Sequence, residues 1–114
     1  MGESLGDFEK MILFALFRLG DDAYGVTIKE EIVERVGREV SIGSVYTALH
    51  RMEKRGLVVA RLGSPTSERG GRRKKHYRIT AAGAGALNES FEALRRMAAG
   101  LTLDPRSLPE VSDV

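Results

Sequence analysis

Apolar residues near the start of the chain return at helical spacing. Phe8, Met11, Ile12, Ala15, Leu16 and Leu19 share one stripe and predict a helix over residues 5–19. Leu13, Phe14 and Phe17 lie off that stripe, so this helix either buries two faces or meets a partner. Gly20-Asp21-Asp22 reads as a stop followed by a cap. Ile28, Ile32 and Val36, with Val33 beside them, predict a second helix over 23–36, and Gly37 ends it. Ser41 stands where an N-cap belongs, ahead of a third helix over 42–55 whose inner stripe is Val45, Leu49 and Met52.

The pattern then changes period. Residues 57–62 form a short β-rich run, 63–72 a loop of Gly, Ser, Pro and Glu, and 75–79 a second run with Tyr77 and Ile79 on one side. Two such runs predict a β-hairpin whose loop is too long for a tight turn, so its tip is expected to be mobile. Thr80 caps a fourth helix from 81 to about 100, with a stripe of Leu87, Phe91, Leu94 and Met97. Residues 102–114 hold two prolines and few core-forming positions and are expected to be a tail without fixed structure. The expected fold is mainly α with a small β-hairpin: one unit over residues 5–80 and a C-terminal helix over 81–101.

Composition narrows the chemistry. The chain has 114 residues, enough for one core, and no cysteine, which removes disulfides, thiolate catalysis and cysteine-held metals. That fits a reducing cytoplasm. No apolar run approaches 18 residues, and the first seven lack a basic end followed by an apolar stretch, so neither a membrane span nor a secretory leader is expected. Gly6 stands where a myristoylation signal wants Ser or Thr. The net charge of +2 hides a strong polarity. Residues 41–80 hold ten Lys/Arg and two acids, a net of +8, against −6 for the rest. One face is therefore built for an anion: nucleic acid first, an anionic membrane surface second.

Helices 2 and 3 are joined by a short connection, as in a helix-turn-helix, where the second helix enters the major groove. Such a helix needs small hydrogen-bonding side chains near the bases and cations near the phosphates. Ser41, Ser44, Thr47, Arg51 and Lys54 supply that mix, although an ordinary wet helix surface would contain the same residues. The hairpin adds the run Glu68-Arg69-Gly70-Gly71-Arg72-Arg73-Lys74-Lys75-His76, a cationic arm able to follow phosphates. Other constellations fail. Gly83-Ala84-Gly85 lacks the third glycine of a dinucleotide fingerprint, because Asn88 stands there. His50 and His76 have no ligand neighbours at metal-binding spacing. No nucleophile–base set stands out, so no catalytic residue, metal or cofactor is expected.

The run from Ser41 to Val58, with Gly43-Ser44-Val45-Tyr46, Leu49-His50-Arg51-Met52-Glu53 and Gly56-Leu57-Val58, resembles the reading helix of PadR-like transcriptional regulators. Ala23-Tyr24-Gly25 is similar to that family's turn before helix 2. Gly71-Arg72, Lys75, Tyr77, Ile79, Thr80 and Gly83 match its wing return. The likeness covers about residues 5–100. The chain departs from the pattern at Ile42 and Thr47, where the family often has proline, and its short tail leads us to expect no large C-terminal effector domain.

The resemblance implies a winged helix-turn-helix that dimerises, binds double-stranded DNA and represses transcription. It assigns Ser41, Ser44, Tyr46, Thr47, His50, Arg51 and Lys54 to the reading helix, and Arg69, Arg72, Arg73, Lys74 and Lys75 to the wing. It makes helix 4 the dimerisation helix, with Leu13, Phe14, Phe17, Leu87, Phe91, Leu94 and Met97 at the homodimer contact. Those apolar residues fit equally a role in covering the winged domain, and Tyr46 fits a core position as well as a DNA-facing one. A small flat aromatic effector between subunits is also implied for some members. The rival reading is a winged interaction module that docks an acidic protein without reading DNA.

Overall fold

A computed structural model describes residues 4–65 and 73–109. Helix α1 spans Asp7–Leu19, α2 Gly25–Val36, α3 Ile42–Lys54 and α4 Ala81–Ala98, with 3-10 turns at Gly20–Asp22 and Pro105–Ser107. Strands β1 (Val58–Pro65) and β2 (Arg73–Ile79) form one antiparallel hairpin between α3 and α4. This is the expected order, with four helices and a wing.

Helices α1, α2 and α3 pack around a shared core. Ile12 and Leu13 from α1, Ile28 from α2, and Val45, Leu49 and Met52 from α3 are fully enclosed. Burying each such side chain contributes roughly 1.5–3 kcal/mol. The hairpin closes one side of the core through Val58 and Tyr77, which face inward by strand alternation. Tyr77 is only 5% exposed, and burial pushes its phenol above the ordinary tyrosine range, opposed by the Lys75 ammonium.

The larger differences from the sequence reading lie at the start of α2 and in the two strands. Helix α2 starts at Gly25, because Ala23 and Tyr24 are extended and pair with the free edge of β2. The Ala23 carbonyl accepts the Tyr77 amide at 2.8 Å, and Tyr24 bridges to His76. The cap of α2 also sits later than Asp21-Asp22: the Thr27 hydroxyl accepts the Tyr24 amide at 3.0 Å and donates to the Asp22 carbonyl at 2.6 Å. Both strands run longer than expected, and pairing continues past an irregularity between Leu62 and Pro65 to Pro65–Arg73. The hairpin tip expected to be mobile lies outside the described residues.

The seam between wing and α4 explains the Thr80-x-x-Gly83 spacing. Thr80 accepts the Gly83 amide at 3.0 Å as the helix cap and donates to the Gly56 carbonyl at 2.7 Å, while its own amide bonds the Leu57 carbonyl. A Cβ on Gly83 would lie 2.1 Å from that Leu57 oxygen, so only glycine lets α4 start here.

Candidate nucleic-acid interface

Helix α3 is amphipathic, and its surface face is the expected reading face. Ser41 caps it, with its Oγ accepting the Ser44 amide at 3.0 Å and lying 2.7 Å from the Ser44 hydroxyl. At about 100° per residue, Thr47, His50 and Lys54 point most directly away from the buried stripe. Ser44 and Arg51 flank them on one side and Tyr46 on the other. All seven assigned residues of this helix region, Ser41 included, are exposed. Thr47, His50, Arg51 and Lys54 therefore offer donors, a hydroxyl and two fixed cations along one surface.

Tyr46 is only partly covered. It keeps an exposed edge, yet its ring lies over the first residue of α2: a Cβ on Gly25 would fall 2.5 Å from the Tyr46 ring and hydroxyl. Gly25 and Tyr46 thus set the approach of the two helices of the helix-turn-helix.

Strand alternation divides the wing cations. Lys75 points toward α3 and lies 3.8 Å from Glu53, an exposed pair of the kind worth at most about 1 kcal/mol. Lys74 faces the other way, its Nζ 4.4 Å above the Tyr24 ring and 3.3 Å from the Tyr24 hydroxyl. His76 and Arg78 share that outer face. His76 Nδ1 lies 2.9 Å from the Asp21 carbonyl, which fixes that nitrogen as the donor, and Arg78 pairs with Asp21 at 3.3 Å. Arg61, cross-strand from His76, is exposed on this same face. Arg73 opens β2, while Arg69 and Arg72 lie outside the described residues. Sequence reasoning missed Tyr24 and Arg61 as members of this surface. Strand parity was a signal for Arg61, but the pairing of Tyr24 with β2 had none.

The residues expected at a dimer contact separate into two groups. Leu13 (0% exposed) and Leu87 (3%) are enclosed in this chain's own core, so they present no surface to a second subunit, and that part of the expectation is corrected. Phe14, Phe17, Phe91, Leu94 and Met97 are exposed along α1 and α4, and Phe14 meets Phe91 edge to face at 5.6 Å. Among the described residues no cluster of three His, Cys, Asp or Glu side chains could hold a metal, and no helix is long and apolar enough to cross a membrane.

Three packed helices, a basic hairpin braced on the turn before α2, and an exposed polar face on α3 define a winged helix-turn-helix. Residues 12–89 match the family model described as the transcriptional regulator PadR-like family. The chain is 37% identical over 78 residues to the transcriptional regulator Rv3488 of Mycobacterium tuberculosis, covering 68% of each. It resembles the crystal structure of a PadR family transcription regulator from Clostridium difficile (27% identity, TM-score 0.67, 81% of this chain and 91% of that one). It also resembles RosR of H. salinarum (27% identity, TM-score 0.62, 86% and 81%). This chain belongs to the PadR-like family of transcriptional regulators, so its role is regulation rather than catalysis.

Proposed function

We propose that the protein is a homodimeric repressor that reads a pseudo-palindromic operator, each subunit placing α3 in a major groove and the wing on the flanking backbone. The observation that carries this reading is the continuous surface formed by Thr47, His50, Arg51 and Lys54 on α3 and the cationic hairpin beside it. Thr47 and Arg51 are assigned to bases, and Ser41, Ser44, Tyr46 and Lys54 to phosphates near the helix ends. Arg69, Arg72, Arg73, Lys74 and Lys75 are assigned to the flanking backbone. The exposed side chains of Phe14, Phe17, Phe91, Leu94 and Met97 form the dimer contact, and a flat aromatic effector would bind there between subunits. Two-fold symmetry sets the half-sites about 34 Å apart. This activity places the protein with DNA in the cytoplasm.

The test is fluorescence anisotropy with the DNA upstream of the protein's own gene and a scrambled control of equal length. A dimer that neutralises about eight phosphates loses roughly three to five powers of ten in affinity between about 50 and 200 mM salt. Salt-steep binding that prefers the native fragment supports the reading. Weak, equal binding to both probes overturns it and favours the interaction module with an acidic protein partner.

A further inference from the structure

Glu9, in the first turn of α1, is turned away from solvent. Its side chain is 13% exposed, and its Oε1 accepts the Gly6 amide at 3.0 Å as part of the helix cap. Its Oε2 is buried and accepts no hydrogen bond among the described residues. The charge facing that oxygen is the Arg55 guanidinium, 3.5 Å away and itself 21% exposed. A carboxylate drawn this far out of water is tolerated where a fixed cation answers it. The pair joins the start of α1 to the end of α3, and neither residue has a part in the proposed DNA contacts.

Arg55 stands where a DNA contact would be expected. It continues α3 in helical backbone (φ −83°, ψ 0°), and its amide bonds the Arg51 carbonyl at 3.2 Å. Four residues after Arg51, it lies one turn farther along the same edge of the helix. Arg51 and Lys54 are exposed, whereas Arg55 is turned back toward α1. Like charges one helical turn apart repel each other. Glu9 offsets the charge of Arg55 and leaves Arg51 to point outward.

We infer that Glu9 is a specificity-determining residue: it withholds Arg55 from the DNA backbone, so that one fewer cation beside α3 binds phosphate regardless of sequence. This inference rests on α3 being the reading helix. A phosphate contact carries no sequence information of its own. On scrambled DNA the protein can shift until an added cation finds a phosphate. On an operator the base contacts hold α3 in one register, and that adjustment is closed. Releasing Arg55 therefore raises affinity for scrambled DNA more than for operator.

Glu9→Gln keeps the shape of the side chain and an oxygen for the Gly6 amide, and it removes the charge that holds Arg55. Anisotropy titrations across a range of salt compare the wild type, Glu9→Gln, and the double variant Glu9→Gln with Arg55→Gln, each on the native upstream fragment and the scrambled control. For Glu9→Gln the expected result is tighter binding to the scrambled probe, by roughly three- to tenfold at about 0.1 M salt, with a salt slope steeper by about 0.9 per subunit. The double variant should return both quantities to their wild-type values. A loosened α3 would instead weaken binding to the native fragment, and adding Arg55→Gln would not restore it. That outcome, or a Glu9→Gln chain that binds scrambled DNA as the wild type does, overturns the inference and leaves the reading helix standing. A double variant with a shallower slope than the wild type shows that Arg55 already touches phosphate, which overturns the inference even if Glu9→Gln alone fails to fold. A wild type without salt-steep preference for the native fragment overturns the reading helix and the role of Glu9 together.

Discussion

The molecule exposes two large surfaces that differ in what would satisfy them. Along α3 and the wing the exposed side chains are hydroxyls, an imidazole and cations, most of them already well hydrated. Along α1, α4 and the tail they are Phe14, Phe17, Phe91, Leu94, Met97, Leu101 and Leu103. The first surface gains little from being dried and much from a dense array of negative charge, so its partner acts through salt-dependent ion release. The second gains roughly 25 cal/mol for each Å² removed from water, so its partner must bring apolar area. A single solvent-exposed leucine needs no explanation, but a row of them on a helix that outruns its own core does.

The two surfaces meet at the seam where Thr80 and Gly83 fasten α4 to the end of α3. Gly83→Ala attacks that seam and should have the largest effect. Its Cβ would collide with the Leu57 carbonyl, so we expect a loss of about 3 kcal/mol, the upper end for overpacking, read as a lower midpoint in urea denaturation. An unchanged midpoint would mean that α4 can shift without cost and the surfaces are not rigidly linked.

Leu94→Ser with Met97→Ser strikes the apolar surface away from the core. Self-association should weaken by about 2 kcal/mol or more, as for central contact residues. The subunit's own stability should move by no more than about 0.5 kcal/mol. Sedimentation equilibrium and thermal melting at low concentration separate the two effects. Arg51→Ala strikes the polar surface. It should reduce discrimination between operator and scrambled DNA by about 1–3 kcal/mol and leave the dimer untouched. If it weakened both probes equally, Arg51 would be a phosphate contact.

Tyr77→Phe touches neither surface and should have the smallest effect. The folded-state pKa of Tyr77 is raised, so its neutral form is favoured by folding. Its contribution is present below the unfolded value near 10 and is lost as pH rises through the higher folded value. The variant should therefore match the wild type at neutral pH and lose less stability above about pH 10, as measured by urea midpoints across that range.

The helices were legible because their signals are local. Ser41 and Thr80 cap from three residues away, and the stripe Val45, Leu49, Met52 needs only helical periodicity. The reading face followed, since the polar residues off the buried stripe of α3 face outward, whereas Ala48, also off that stripe, is buried. Where the sequence reading failed, the deciding partner was distant. Tyr24 is extended because β2, some fifty residues later, supplies its partner, and Leu13 and Leu87 are enclosed by packing that periodicity does not specify.

The sequence by itself determined the order of helices and strands, the caps of α3 and α4 at Ser41 and Thr80, and that one stretch of forty residues carries the positive charge. Backbone propensity, side-chain period and charge are properties of neighbours along the chain. Only the tertiary structure decided which exposed residues share a surface: that Lys74 stacks on Tyr24 while Lys75 turns to Glu53, and that Tyr46 rests on Gly25. Those outcomes depend on strand pairing and helix approach across long loops of chain, and no local signal encodes them.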